Sequence, residues 1–346
     1  MKESPANRSQ VLVLGMDTFA RKNIIKIREL EAEGYAYTIV ANDQRGDSRA
    51  IFDAQGFEAS RLIVVKGLGE KLRTAWRLLR AGGWHHVELY PAGRMAVAYL
   101  AFMKALRRPF IVIERGDVGC MSQYNFLVRL ALKTAYRWAE LVVFKETYME
   151  APLRRLTRAP LIFLPNCVAE AAPGAEPERD IDFLWVNRLI PERKIAWVIA
   201  GVGRLDGRRL LVLGAEDESS RPPGSDRVTI LGFVDPAPYY RRARYFCLPA
   251  SIVFANNSLL EAMSSGVVPI VTESPGVGLL VEDGVNGIVT AFDEAAYGAG
   301  MARAATLGED EWRRLSAAAV ATVREKYSVE AWTRQMADVY ARLDPA

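Results

Sequence analysis

Short apolar runs alternate with longer amphipathic segments along the whole chain. This is the pattern of parallel strands buried on both faces and separated by covering helices. In the first half the runs are VLVLG from Val11, YTIVAN from Tyr37, RLIVVKG from Arg61, HVELY from His86, FIVIERG from Phe110, ELVVFK from Glu140 and LIFLPN from Leu161. The alternation breaks at AEAAPGAEPERD, where Ala, Pro, Gly and charge replace any period, so residues 169–180 are predicted to be a linker. It restarts with DFLWVN from Asp182, LLVLG from Leu210, VTILGFV from Val228, YFCLPA from Tyr245 and VVPIVTE from Val267. From Ser328, apolar positions at Val329, Trp332, Met336, Val339, Tyr340 and Leu343 predict a final amphipathic helix. The expected class is α/β: a Rossmann-like doubly wound parallel sheet over 1–168, a second over 181–327, and a terminal helix over 328–346.

A chain of 346 residues is long enough for two domains with cores of their own. The first ten residues are polar and no run nears the ~18 apolar residues needed to cross a bilayer, so a cytoplasmic protein is expected. Cys120, Cys167 and Cys247 are far apart and lack a CxxC pairing, which points to free thiols. The net charge of +4 hides a division. Residues 1–165 carry 26 Lys and Arg against 16 Asp and Glu, whereas the remainder carries 19 against 25. A polyanionic partner on the basic half is therefore expected, with nucleic acid, anionic lipid and a phosphorylated substrate all compatible.

Candidate chemistry concentrates between Tyr245 and Val289. In open α/β sheets ligands sit beyond the carboxyl ends of strands, where helix N-termini present free N–H groups to anions. Asn256, Asn257 and Ser258 fall at such an end, either as simple helix caps or as phosphate contacts. Glu261 lies one turn further among apolar neighbours, suited to accept hydrogen bonds from ribose hydroxyls, although a first-turn glutamate also favours a helix on its own. After DFLWVN come Arg188 and Lys194, a planar fork and a point charge at a strand end, either a diphosphate clamp or a solvated pair. Asp180-Ile-Asp182 spells a metal-binding DxD but straddles the linker, and His85-His86 lacks a third ligand, so no metal is expected. GxxxxGK[ST], HExxH, GxSxG and a complete GxGxxG after either first strand are missing, which disfavours P-loop, zinc-protease, hydrolase and dehydrogenase chemistry.

NSLLEAMSSG, VPIVTE, SPGVG and LLVEDGVNG, preceded by LPNCV, NRL from Asn187 and LGFV from Leu231, resemble the C-terminal half of family 4 glycosyltransferases. These are retaining enzymes of the GT-B fold, two Rossmann-like domains facing a central cleft. The resemblance covers residues 160–290, and the final helix fits the family's crossover to the first domain. It implies a nucleotide-sugar donor, a UDP or GDP sugar, as substrate with no cofactor. Arg188 and Lys194 would meet the diphosphate, Glu261 the ribose, the backbone of Asn257, Ser258 and Leu259 the phosphates, and Phe233 and Val234 the base. Two positions depart from the family pattern. Val253 stands where a glutamate usually contacts the donor sugar, and the loop after the first strand reads Gly15-Met16-Asp17-Thr18, leaving Gly15 and Asp17 as donor-side candidates.

In the first half, Glu114, Arg115 and Asp117 follow the strand FIVI, either as sugar or acceptor contacts or as a polar loop with an internal ion pair. Arg129, Lys133 and Arg137 recur every four residues beside Tyr124, Phe126, Tyr136 and Trp138, and Arg73, Arg77 and Arg80 form a second stripe. Solvated faces account for such stripes, and so does docking on anionic lipid. The expected function is glycosyl transfer from a nucleotide sugar to a glycan or lipid-linked acceptor in surface polysaccharide or lipopolysaccharide assembly, in the cytoplasm or at the cytoplasmic membrane face. A nucleotide-sugar isomerase or phosphorylase, or a non-catalytic donor-binding protein, is the alternative. Nucleic acid is not an expected partner, because no recognisable binding module accompanies the charge.

Overall fold

A computed structural model describes residues 8–16, 22–42, 46–93, 95–170, 178–214, 226–254 and 256–343. The chain divides into two units, residues 1–165 with 332–346, and residues 166–331. The expected linker falls largely at 171–177, outside the described residues.

In the first unit the elements run β1 (Ser9–Met16), α1 (Lys22–Ala32), β2 (Tyr35–Asn42), α2 (Ser48–Asp53), β3 (Arg61–Val65), α3 (Leu68–Ala81), β4 (His86–Leu89), α4 (Ala96–Ala105), β5 (Ile111–Ile113), α5 (Phe126–Trp138), β6 (Val142–Phe144), α6 (Glu150–Leu156) and β7 (Leu161–Phe163). All seven strands are parallel, in the order β3-β2-β1-β4-β5-β6-β7. Alternate residues of β1 feed opposite cores. Leu12 and Leu14 pack with α3, α4 and α5, while Val11 and Val13 pack with α1 and the terminal helix. This two-sided burial is why the strands read as unbroken apolar runs.

The second unit runs β8 (Ile181–Val186), α7 (Ile195–Gly203), β9 (Leu210–Leu213), β10 (Val228–Leu231), α8 (Ala237–Tyr240), β11 (Ala243–Leu248), α9 (Asn257–Ser264), β12 (Val268–Thr272), β13 (Ile288–Thr290), α10 (Glu294–Thr306) and α11 (Glu309–Lys326). Its six strands are again parallel, ordered β10-β9-β8-β11-β12-β13. Each of the twelve apolar runs holds a strand. β13 is additional: only three residues long, it starts at Ile288, at the end of the segment LLVEDGVNGIV, which carries no clear alternation. Strand order reverses at β1/β4 and at β8/β11, and these are the points where a crevice opens at the carboxyl ends.

The terminal helix α12 (Val329–Ala341) spans the division, and from Trp332 onward it belongs to the first unit. Its Tyr340 is fully buried, donates to the Glu88 carboxyl, stands 2.6 Å from the Tyr37 hydroxyl and tilts over His86 at 4.3 Å. Tyr90 also reaches Glu88 at 3.5 Å. Burial pushes the Glu88 carboxyl up to about 7, against the pull of the two tyrosine donors and Lys26. The same burial, with His85 beside it, drives His86 down to about 3, so this imidazole stays neutral.

Two stability tests follow from these contacts. Gly15 sits at φ +84, and a Cβ there would run into the carbonyl of Tyr90, whereas Gly34 at φ +93 has open space around it. Gly15→Ala should lower the thermal midpoint clearly more than Gly34→Ala, by the equivalent of ~2 kcal/mol beyond the shared left-handed cost. Equal shifts would show that the Tyr90 contact is unimportant. Glu88 binds its proton more tightly folded than unfolded, so its contribution is full below the unfolded value of 4.5 and is lost as pH rises through about 7. Denaturation from pH 5 to pH 8 should show Glu88→Gln losing on the order of 3 kcal/mol less than the parent across that window. Parallel curves would contradict the buried-acid assignment.

Candidate functional site

In the second unit, β8 ends at Val186 and the next residue, Asn187, begins the crevice. Gly214, just past β9, approaches it so closely, at φ +102, that a Cβ would lie 2.6 Å from the Asn187 carbonyl oxygen. Only glycine fits without a shift. The Asn256 amide donates to the Asn187 side-chain oxygen at 3.3 Å, and among the described residues the buried Asn187 Nδ2 has no partner. Arg193 adds a 3.4 Å hydrogen bond to the Ile252 carbonyl. These contacts bring the loop carrying Arg188 and Lys194 against the loop leading into α9.

Asn256 is the cap of α9, accepting from the Leu259 N–H at 3.2 Å. That bond occupies the Leu259 amide, and the Leu259 side chain is core. Asn257 is exposed and Ser258 half-buried at the same helix end. Glu261, half-buried one turn on, accepts from the Tyr240 hydroxyl at 3.1 Å. Burial raises its carboxyl above the ordinary range, with Asp235 adding to the rise and the Tyr240 bond opposing it. Tyr240 is itself raised, by burial first and then by the charge of Glu261. Nothing in the segment APYY singles this tyrosine out, because its partner lies 21 residues away.

Lys194 takes a left-handed conformation, φ +50, as the residue before α7, with its ammonium 5.9 Å from the Trp197 ring centre. A non-glycine residue held at positive φ stores strain of the kind found at functional sites. Arg188 is exposed and forms no ion pair with any described residue. Phe233 and Val234 are 68% and 41% exposed just past β10, unusual for apolar side chains and suited to cover a flat group. Val253 is fully buried, its N–H on the Ser274 hydroxyl at 3.2 Å. Asp180 pairs with Arg242 and Asp182 with Arg208, so each carboxylate of the DxD is engaged by an arginine.

The first unit holds the remaining candidates. Glu114 is turned inward: its carboxyl accepts from the N–H of Gly116 at 2.7 Å and of Val118 at 3.1 Å, and from the Tyr136 hydroxyl. Burial raises its pKa despite these donors. Of the two alternatives, the polar loop has no ion pair between Glu114 and Arg115 among the described residues, because the carboxylate spends its lone pairs bracing its own loop. Arg115 is exposed, 5.7 Å from the Tyr90 ring centre, and Asp117 accepts from Tyr124 at 2.9 Å. The structure thus gathers Arg115, Asp117 and, through Tyr90, Gly15 at the carboxyl ends of the central strands of the first sheet. Asp17 lies outside the described residues.

With this geometry in view, residues 180–306 match the family model of glycosyl transferases group 1. No curated protein sequence is significantly similar to the chain. Among solved structures, Anabaena Alr3699/HepE in complex with UDP and glucose superposes with a TM-score of 0.78 at 15% identity, covering 97% of this chain and 100% of that one. Sucrose-phosphate synthase from Thermosynechococcus elongatus gives 0.72 at 18% identity over 97% and 99%. The pneumococcal O-GlcNAc transferase GtfA in complex with UDP and GlcNAc gives 0.74 at 9% over 97% and 99%. At these identities the likeness is one of fold, and the fold is GT-B, two Rossmann-like domains. The family match then makes residues 180–306 a glycosyltransferase domain, and the chain an enzyme of that class.

Proposed function

We propose that this protein transfers a glycosyl group from a nucleotide diphosphate sugar, a UDP or GDP sugar, to a glycan or lipid-linked acceptor, with retention and without a metal, in surface polysaccharide or lipopolysaccharide assembly. The observation that carries the reading is the Asn187–Asn256 hydrogen bond, which holds the loop of Arg188 and Lys194 against the N-terminus of α9. A diphosphate placed there would meet two cations and the N–H groups of Asn257 and Ser258, with Glu261 one turn on for the ribose and Phe233 beside the base. UDP-bound neighbours of the same fold support a nucleotide as the ligand. Retention rests on the resemblance to family 4 enzymes.

As the glycosidic bond to the diphosphate breaks, negative charge grows on the leaving oxygens. Arg188 and Lys194 stabilise that charge more than they stabilise the bound donor, which is the condition for lowering the barrier. Arg115 and Asp117 are offered for the sugar or acceptor, with Glu114 holding their loop. The arginine pairing of Asp180 and Asp182 supports a site whose positive charge comes from side chains. A second reading, donor binding without transfer, is favoured by Val253, since core packing occupies the position where family members present a carboxylate to the sugar.

UDP or GDP should raise the melting temperature while CMP should not, since only the former present a diphosphate. Glu261→Ala should weaken nucleotide binding roughly tenfold, the value of a hydrogen bond to a charged group. Lys194→Ala should lower kcat about a hundredfold with a smaller effect on KM. Parental behaviour of both variants would count against the site, and nucleotide binding with no acceptor-dependent release of diphosphate would favour the second reading.

A further inference from the structure

The helices α3, α4 and α5 lie side by side over one face of the first sheet, and their outer surface is unusual in two ways. Among the described residues, thirteen large hydrophobic side chains are exposed, and seven of these, Leu68, Trp76, Val97, Phe126, Leu127, Leu130 and Trp138, lie on these three helices. Stability cannot explain such a concentration, because every one of these side chains would be better placed in a core. The second feature is charge. The three helices hold eight Lys and Arg and a single acid, Glu70. Arg129, Lys133 and Arg137 are exposed and form no ion pair with any described residue.

On α5 the two features share one face. Val128, Ala131, Leu132, Ala135 and Tyr136 point to the core. Phe126, Leu130, Lys133 and Arg137 follow at intervals of four, three and four, the opposite stripe of the helix. Phe126 is 68% and Leu130 47% exposed, Arg129 flanks them, and Trp138 is reached by the Lys104 ammonium at 5.1 Å from α4. The stripe is graded along its length, apolar in the first turns and cationic in the last.

We propose that this face, centred on α5, docks the protein on an anionic lipid bilayer, with Phe126, Leu127 and Leu130 entering the headgroup region and Arg129, Lys133 and Arg137 meeting lipid phosphates. Cations and large apolar groups on one helix face match an interface that is charged above and apolar below, and Trp138 has the amphipathic ring that settles at that depth. A nucleic acid would use the cations and stack a base on Phe126, but it would leave the exposed aliphatic side chains of Leu127 and Leu130 without a role. The position of the face adds to the case. α5 starts at its Asn125 cap immediately after Tyr124, whose hydroxyl bonds Asp117. The apolar end therefore adjoins the loop offered above for the acceptor, which selects the lipid-linked class. That last step rests on the proposed function, whereas the docking does not.

The test is flotation of the full chain with phosphatidylcholine vesicles, with and without phosphatidylglycerol, alongside two double variants, Lys133→Glu with Arg137→Glu and Phe126→Ser with Leu130→Ser. The parent should float with the anionic vesicles only and be released by salt. Each double variant should bind at least tenfold more weakly. All three proteins should keep the same thermal shift with UDP, which separates loss of docking from loss of fold or of the donor site. Absence of parental binding, equal binding to neutral vesicles, or parental binding by either double variant would overturn the proposal. So would single-stranded RNA binding tighter than vesicle binding and unaffected by the Phe126 and Leu130 changes. A failed UDP shift with intact flotation would sink the donor reading and leave the docking standing.

Discussion

The site depends on a topological constraint at β8. The chain leaves that strand toward α7, on one face of the sheet, and leaves the neighbouring β11 toward α9, on the other, so the two exits cannot cover each other. The gap exposes backbone and amide groups that elsewhere in the sheet would be paired. Gly214 closes one side by approaching the Asn187 carbonyl as only a glycine can, and Asn256 closes the other while its oxygen caps α9. Between them remain the amides of Asn257 and Ser258 and the Nδ2 of Asn187, which has no partner among the described residues; all are donors. An anion is the natural complement, and the cations on the loop after β8 add to the same preference.

The architecture was legible because two-sided burial writes strands as solid apolar runs, and because a helix cap such as Asn256 announces itself by type and position. Short-range signals located the strand ends, and with them the loops that hold the candidates. What the sequence did not disclose was the direction of the charged side chains. Glu114, Arg115 and Asp117 look equivalent in the run ERGD, yet Glu114 is a brace beneath its loop while Arg115 is exposed. Its burial is decided by Tyr136, 22 residues later. Glu88 is hidden in the same way within the strand HVELY, because its partner Tyr340 is 252 residues distant. β5, β6 and β7 are as short as β13 but lie within longer apolar runs, whereas β13 escaped because Ile288 and Val289 directly follow the polar, glycine-containing EDGVNG.

The helix α5 shows the opposite failure. Its basic stripe was visible from spacing alone, but the aromatic residues alongside it could not be sorted. Tyr136 turns inward to Glu114, whereas Phe126 and Trp138 turn outward. Aromatic residues fall on both faces of this helix, so only the observed exposure tells which of them are core and which are surface. The inward face braces the loop of Glu114 through Tyr136, while the outward face is exposed.

The division of charge between the halves takes its meaning from pairing. In the second unit the arginines of α10 and α11 are matched: Arg303 with Asp283, Arg313 with Glu309 and Arg314 with Glu311. Each pair is a local dipole whose field decays within a few ångströms. On α5 the cations are spaced about one helical turn apart, closer than the ~8 Å screening length at physiological salt, so their potentials add over the surface. The net charge of +4 therefore understates the field near this face. Repulsion among Arg129, Lys133 and Arg137 destabilises an isolated helix. The tertiary contacts of Val128, Leu132 and Tyr136 have to hold them together, and a negatively charged surface would relieve that repulsion.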